Sequence, residues 1–100
     1  MKNSPNLENK LSEFLPRPNV ENALVLVKYF IKENQKKKPK GYKGVPYKKL
    51  KRDIVYKNKK LDETDFELTF SMLRGKSIII ESKRHYDLSS YYRNHYGKVN

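Results

Sequence analysis

A single basic stretch, residues 36–60, carries nearly all of the charge imbalance of this 100-residue chain. It holds twelve lysines and arginines against one acid, Asp53, while the segments on either side are close to neutral. A polyanion laid along such a patch releases its condensed counterions, so nucleic acid is the first partner to expect. The bland alternative is that the lysines only keep a loop hydrated.

Composition limits the chain to one small domain with a modest core. Charged residues make up 34% and apolar residues 36%, so little apolar surface is available for burial. Eight tyrosines and four phenylalanines partly compensate, because each ring buries a large area. The absence of cysteine excludes disulfides and thiolate metal sites and favours an intracellular location, in the cytoplasm or nucleoid. The longest apolar run, residues 23–27, is too short to cross a bilayer, so no membrane partner is expected.

Proline positions and apolar spacing predict two helices in the first third of the chain. A short amphipathic helix is expected over residues 4–15, and the prolines of 16-PRP-18 end it. Asn19 then caps a second helix over residues 20–34, whose apolar residues recur every three or four positions. The first helix either packs as a fourth core helix or forms the seam of a homodimer. Its apolar residues are Leu7, Leu11, Phe14 and Leu15.

The middle of the chain reads as helix, short turn and helix. Residues 35–44 form a basic loop, and Pro46 opens a helix at its first turn. That helix fades near residues 57–60, where Asn58 suits the left-handed conformation of a tight turn. The next helix is expected over residues 62–74.

After this helix the pattern changes to that of strands. A β-branched run at residues 78–80 and the alternation around Tyr86 and Leu88 predict a hairpin with a basic tip at residues 82–85. The tyrosine-rich tail, residues 90–100, either extends the second strand or forms a last short helix. It is a second candidate for a homodimer contact.

In this order of elements, residues 20–92 resemble the winged helix-turn-helix family, and the best matching parts are residues 45–55 and 61–80. The resemblance implies an α+β, mostly helical fold with a three-helix core and a C-terminal β-hairpin wing, here with an extra N-terminal helix. It also implies that the helix over residues 62–74 enters the major groove and that residues 82–85 touch the DNA backbone or the minor groove.

The expected domain division follows the same reading. Residues 1–18 form an N-terminal helix and a proline-bounded linker. Residues 19–96 form the winged helix domain, and residues 97–100 a disordered tail.

The acidic start of the third helix departs from the family pattern. Four carboxylates among phosphates would be costly, so ordinary groove insertion is in doubt and a basic protein partner is the alternative. The four are Asp62, Glu63, Asp65 and Glu67.

The nucleic-acid contacts are therefore expected mainly from the basic residues. Those predicted to bind phosphates are Lys43, Lys48, Lys49, Lys51, Arg52, Lys57, Lys59, Lys60, Lys83 and Arg84. Those predicted to read bases are Thr64, Thr69, Ser71 and Arg74. Eighteen lysines against five arginines indicate weak sequence preference, unless the lysines only reflect an AT-rich genome. Tyr42 and Tyr47 lie among the lysines and could stack on unpaired bases, which would also suit RNA, although a tyrosine at position 47 is more often a core residue.

The function expected from the sequence is a small basic DNA-binding protein, a transcriptional regulator or a chromatin-type protein. The alternative is a non-catalytic interaction subunit of a replication, transcription or ribosomal complex. His85 and His95, each followed by tyrosine, resemble parts of a phosphoryl-transfer site, but the chain is too small to complete one. No enzyme activity, metal site or cofactor is expected.

Overall fold

Helices dominate the described residues, which are 7–36 and 44–96 of a computed structural model. The α-helices are α1 (Leu7–Ser12), α2 (Arg17–Gln35), α3 (Tyr47–Lys51), α4 (Glu63–Gly75) and α5 (Ser90–Tyr96), and a π-helix, Arg52–Lys57, continues α3. The strands β1 (Val45–Pro46), β2 (Ile79–Ser82) and β3 (His85–Leu88) form an antiparallel sheet in the order β1-β3-β2. The α+β, mostly helical class is confirmed. Residues 1–6 and 97–100, and the predicted contacts Tyr42 and Lys43, lie outside the described residues.

Helix α2 supplies the centre of the core. Its buried residues recur every three or four positions and are Val20, Ala23, Leu26, Val27 and Phe30. The helix begins at Arg17, so the prediction that Asn19 caps it is wrong. Pro18 lies in the first turn, where backbone N–H groups have no intrahelical acceptor and a missing N–H costs nothing. The second proline of this pair therefore opens a helix.

Helix α1 packs on α2 within the same core. Leu11 is fully buried and Leu15 is 5% exposed, as expected for a fourth core helix, and neither is available for a dimer seam. Phe14, which was predicted to share their face, is 44% exposed. The helix ends at Ser12, so helical spacing no longer sets the direction of the residues that follow.

The strand β1 was not predicted. Val45 pairs with Tyr86 and Pro46 with His85, so the hairpin gains a third strand at its edge. Pro46 is extended, at φ −64° and ψ 148°, and precedes α3 rather than lying in its first turn. Proline suits an edge strand because it has no N–H to donate. The pairing sets the start of α3 beside the tip of the hairpin.

The turn between the π-helix and α4 also differs from the prediction. Asn58 is right-handed, at φ −98°, and Lys59 instead takes the left-handed conformation, at φ 51°. The backbone N–H of Asn58 donates to the carbonyl of Asp53 at 3.0 Å, and that of Lys60 to Ile54 at 2.8 Å. These two hydrogen bonds close wider turns than those of an α-helix, so the helical path continues past Lys57. The left-handed residue is therefore Lys59, one residue later than the predicted Asn58.

The hairpin tip is a two-residue turn. Lys83 and Arg84 have φ values of 51° and 67°, as a type I′ turn requires, and the twist of this turn matches that of the strands. Ser82 and His85 lie in the strands, so the tip is narrower than predicted. Of the two alternatives for the tail, the short helix α5 is the one observed, and it buries Tyr92 in the core.

Candidate nucleic-acid interface

Two of the four carboxylates at the start of α4 are paired with a lysine of α3. The Nζ atom of Lys51 lies 2.8 Å from an oxygen of Glu63 and 2.8 Å from an oxygen of Glu67. The Tyr47 hydroxyl donates to Glu67, and the Tyr56 hydroxyl donates to Glu63 at 3.3 Å. The Lys51 side chain is only 19% exposed, so its charge serves the contact between α3 and α4.

The pKa values of these groups follow from the pairing. Hydrogen bonds from Lys51 lower the pKa of Glu63 and of Glu67, and the bonds to the two carboxylates raise the pKa of Lys51. Burial and the hydrogen bond to Glu67 raise the pKa of Tyr47 to about 12. At neutral pH the ammonium group is therefore shared between two ionised carboxylates, and a neutral phenol completes the cluster.

The other two carboxylates differ in their roles. Asp62 is the N-cap of α4, since its side chain accepts the backbone N–H of Asp65 at 2.7 Å. A carboxylate at this position is stabilised by the helix dipole. The side chain of Asp65 is exposed and forms no ion pair with any residue in the described ranges. The start of α4 therefore stays acidic, with one of its four negative charges offset by Lys51 and one held at the N-cap.

The exposed face of α4 carries a neutral stripe. Thr64, Leu68 and Ser71 are exposed at helical spacing, and Leu68 is 59% exposed. Arg74 follows at the end of the helix. Its guanidinium lies 3.2 Å from Glu81 and stacks over the ring of Tyr86 in the hairpin. Thr69 is 1% exposed, so the prediction that it reads bases is wrong. It falls on the side of α4 that packs in the core.

The predicted patch on α3 and the π-helix is divided between two neighbouring helices. Lys49 lies toward α2, where its Nζ is 3.5 Å from Glu33 and 3.0 Å from the Tyr29 hydroxyl, and it is also 3.2 Å from Asp53 of the π-helix. Arg52 also contacts Asp53, at 3.4 Å. Lys51 lies toward α4, as described above. Much of the charge on these helices therefore joins elements of the fold.

Six of the predicted contacts remain exposed and unpaired within the part of the chain that the structure describes. They are Lys48, Lys57, Lys59, Lys60, Lys83 and Arg84. Three of them lie in or beside the turn that precedes α4, and two form the hairpin tip. Lys48 lies near the tip because β1, just before α3, pairs with β3. These cations flank α4 at its start and on the side of the hairpin.

Asp53 makes the stability of the fold sensitive to acid. Burial opposes its ionisation, but hydrogen bonds from Tyr29 and Lys49 outweigh burial and hold the pKa of Asp53 below its ordinary value. A lowered folded-state pKa gives a stabilisation that is complete above about pH 4 and is lost as pH falls through the folded-state value. Asp53→Asn should lower the free energy of unfolding near pH 7 by about 1–3 kcal/mol and flatten its decline below about pH 4.

Urea unfolding near pH 7 and near pH 3 measures both effects. Asp65→Asn is the matched control. The carboxylate of Asp65 is exposed, so its replacement should change the free energy of unfolding by no more than about 0.5 kcal/mol. An Asp53→Asn protein that loses stability in acid as steeply as the wild type would contradict the assignment.

No family model, curated protein or solved structure matches this chain. Among the described residues, no helix combines the length and apolarity needed to cross a membrane. Nor do three or more His, Cys, Asp or Glu side chains of those residues gather as a metal site would require.

Sequence reasoning missed two features of this surface. The pairing of Lys51 with Glu63 and Glu67 joins residues 12 and 16 positions apart, and no local pattern signals it. The exposure of Leu68 could have been found, because Phe66, Phe70 and Leu73 already fill the core stripe of α4 and Leu68 falls outside it.

Proposed function

We propose that this chain is a small basic DNA-binding protein of the winged helix type, acting in transcription or in chromatin. It binds duplex DNA mainly through phosphates and has limited sequence preference. The observation that carries the proposal is the set of six exposed cations without an ion pair among the described residues, which flank α4 at its start and on the side of the hairpin. These cations attract phosphates on both sides of the neutral stripe of α4, and Lys51 offsets one of the four negative charges at the start of that helix.

The order of elements supports the winged helix assignment. Helices α2, α3 and α4 precede the β2–β3 hairpin, as in the family that residues 20–92 resemble. The hairpin tip presents Lys83 and Arg84 from a tight turn that holds both side chains outward. A wing of this kind would contact phosphates beside a groove occupied by α4.

The groups on the neutral stripe explain why the expected preference is limited. The hydroxyls of Thr64 and Ser71 can pair with several bases, and the Leu68 side chain can contact a thymine methyl. No unpaired arginine lies on the stripe to read guanine in the bidentate manner. Most of the affinity would therefore come from lysine–phosphate contacts.

Salt dependence of binding tests the proposal. Fluorescence anisotropy with a mixed-sequence duplex of about 20 base pairs should give a slope of log affinity against log salt of about −5 to −6, as expected for 5–7 neutralised phosphates. Single-stranded DNA and RNA of the same sequence are the comparison ligands. A variant with Lys48, Lys83 and Arg84 changed to Ala should lose about two to three units of slope. It leaves Lys49 and Arg52 in place because these residues hold Asp53.

The matched control removes three exposed or half-buried lysines from α1 and α2, namely Lys10, Lys28 and Lys32. Its slope should stay within about one unit of wild type, because none of the three is among the six exposed cations that flank α4. Equal losses in both triple variants would indicate binding through net charge alone. Weak binding of all three nucleic acids would refute the proposal, and tighter binding of RNA than of duplex DNA would redirect it to RNA.

A second candidate function, an interaction subunit that binds a protein through α4, is favoured by one observation. Leu68 is 59% exposed in the middle of the helix, one turn from the unpaired Asp65. Asp65→Lys separates the two functions without disturbing the Lys51 pairs. The substitution should tighten duplex binding if α4 faces phosphates. An unchanged affinity and salt slope would place α4 away from the DNA and favour the protein partner.

A further inference from the structure

A groove of about 700 Å³ lies on the side of α2 that is largely opposite its core face. Its floor is aliphatic and consists of Leu24, Val25 and Ile31 from α2 and Ile54 from the π-helix. The three α2 residues are half-buried. Aliphatic side chains left partly exposed and grouped on one helix face are typical of a site for another apolar surface.

The rim of the groove is positively charged. Lys28 and Lys32 stand one turn apart on α2, and Lys60 faces them from the turn before α4. All three are exposed, and none forms an ion pair with a residue of the two described ranges. Glu21 is the single acid among the lining residues. The groove therefore combines an apolar floor with an excess of cations at its edge.

We propose that this groove docks an acidic amphipathic helix of a protein partner. Apolar residues on one face of that helix cover the aliphatic floor, and Asp or Glu residues beside them pair with Lys28, Lys32 and Lys60. A nucleic acid would satisfy the lysines but leave the aliphatic floor uncovered. The charge pattern and the apolar floor together thus favour a peptide.

The length of the floor sets the spacing of the partner's anchors. Leu24 and Ile31 are seven residues apart on α2, which corresponds to about 10.5 Å along the helix axis. A docked helix covers this distance in two turns, so its apolar anchors fall at positions i, i+3 or i+4, and i+7. The inference goes beyond the proposed DNA binding and does not depend on it.

Three synthetic peptides test the proposal directly. The first is a fluorescein-labelled helix of about 15 residues, long enough to span the groove, with leucines at the anchor spacing and glutamates beside them. The second replaces every glutamate with lysine, and the third replaces every leucine with alanine. The first should bind at least about tenfold more tightly than either of the others, because only it satisfies both the floor and the rim.

Variants of the protein locate the binding. Lys28→Glu with Lys32→Glu, and separately Leu24→Ser with Ile31→Ser, should each weaken binding of the first peptide at least about tenfold. Circular dichroism checks that each variant is folded. Lys76→Glu with Lys83→Glu makes the same charge change outside the groove and should alter the affinity by no more than about twofold. Amide NMR shifts caused by the peptide should centre on Leu24, Ile31 and Asn58.

Several results would overturn the proposal. Equal weakening by the groove and control charge variants would mean that the peptide is attracted only by net charge. Self-association of the wild type, abolished by Lys28→Glu with Lys32→Glu in sedimentation velocity, would make a second copy of the chain the occupant. Lys60 belongs both to the cations that flank α4 and to the rim, so competition is measured in a Lys60→Ala protein. Displacement of the peptide by mixed-sequence duplex from that protein would make the groove part of the nucleic-acid surface. Loss of duplex binding in the Lys48, Lys83 and Arg84 variant bears only on the DNA-binding proposal.

Discussion

Leu73→Ala is expected to lower the free energy of unfolding by about 2–5 kcal/mol, whereas Leu68→Ala on the same helix should change it by less than about 0.5 kcal/mol. Leu73 is fully buried in the core, and Leu68 is 59% exposed. Removing the buried side chain costs its transfer free energy and leaves a cavity that the neighbours only partly fill. The exposed side chain leaves no cavity.

Urea unfolding followed by circular dichroism measures both changes. The two substitutions remove the same atoms from the same helix, so they share any effect of alanine on helix propensity. A domain of this size has a total stability of about 5–15 kcal/mol, and Leu73→Ala should leave a visibly destabilised or largely unfolded protein. Equal effects at the two positions would mean that α4 is packed with a different face inward.

Gly44→Ala is expected to lower the free energy of unfolding by about 1–3 kcal/mol or more. Gly44 has φ +116°, a conformation that residues with a side chain rarely adopt, and an added Cβ would lie 2.6 Å from the carbonyl oxygen of Tyr86. That oxygen belongs to the backbone of β3 and cannot turn aside as a side chain would. The substitution should therefore disrupt the pairing of β1 with β3.

Gly75→Ala provides the control with the opposite sign. Gly75 ends α4, and an added Cβ would meet no atom within 4 Å. Alanine there should stabilise the protein by about 0.4–1 kcal/mol, because it restricts the unfolded chain without strain in the folded one. Thermal and urea unfolding of the two variants compare them directly. If Gly44→Ala is as stable as Gly75→Ala, the close approach of residue 44 to β3 is incorrect.

Elements with strong local patterns were predictable from the sequence. The apolar spacing of α2 and of α4 correctly indicated helices, and the β-branched run before Tyr86 correctly indicated a hairpin. The errors lie where a local signal has two readings. Pro18 was read as a terminator and lies in the first turn of α2, while Pro46 was read as a helix start and lies in β1. Strand β1 exists because β3 lies beside it, which no pattern within two residues can signal.

The candidate interface was predictable only in outline. The sequence located the excess of positive charge, because formal charge is a property of each residue and does not depend on the fold. It could not distinguish Lys48, which is exposed, from Lys49 and Lys51, which are held by carboxylates of α2, the π-helix and α4.

By itself, then, the sequence determined that the chain is basic and that the charge is concentrated in residues 36–60. It also determined that a series of helices is followed by a hairpin near the C-terminus. The tertiary structure alone decided which cations remain for a partner and that Lys51 offsets one of the four negative charges at the start of α4. The physical reason is the distance dependence of electrostatic interactions. Lys51 and Glu67 are 16 residues apart in the chain, and their charges compensate each other only because folding brings them within 2.8 Å.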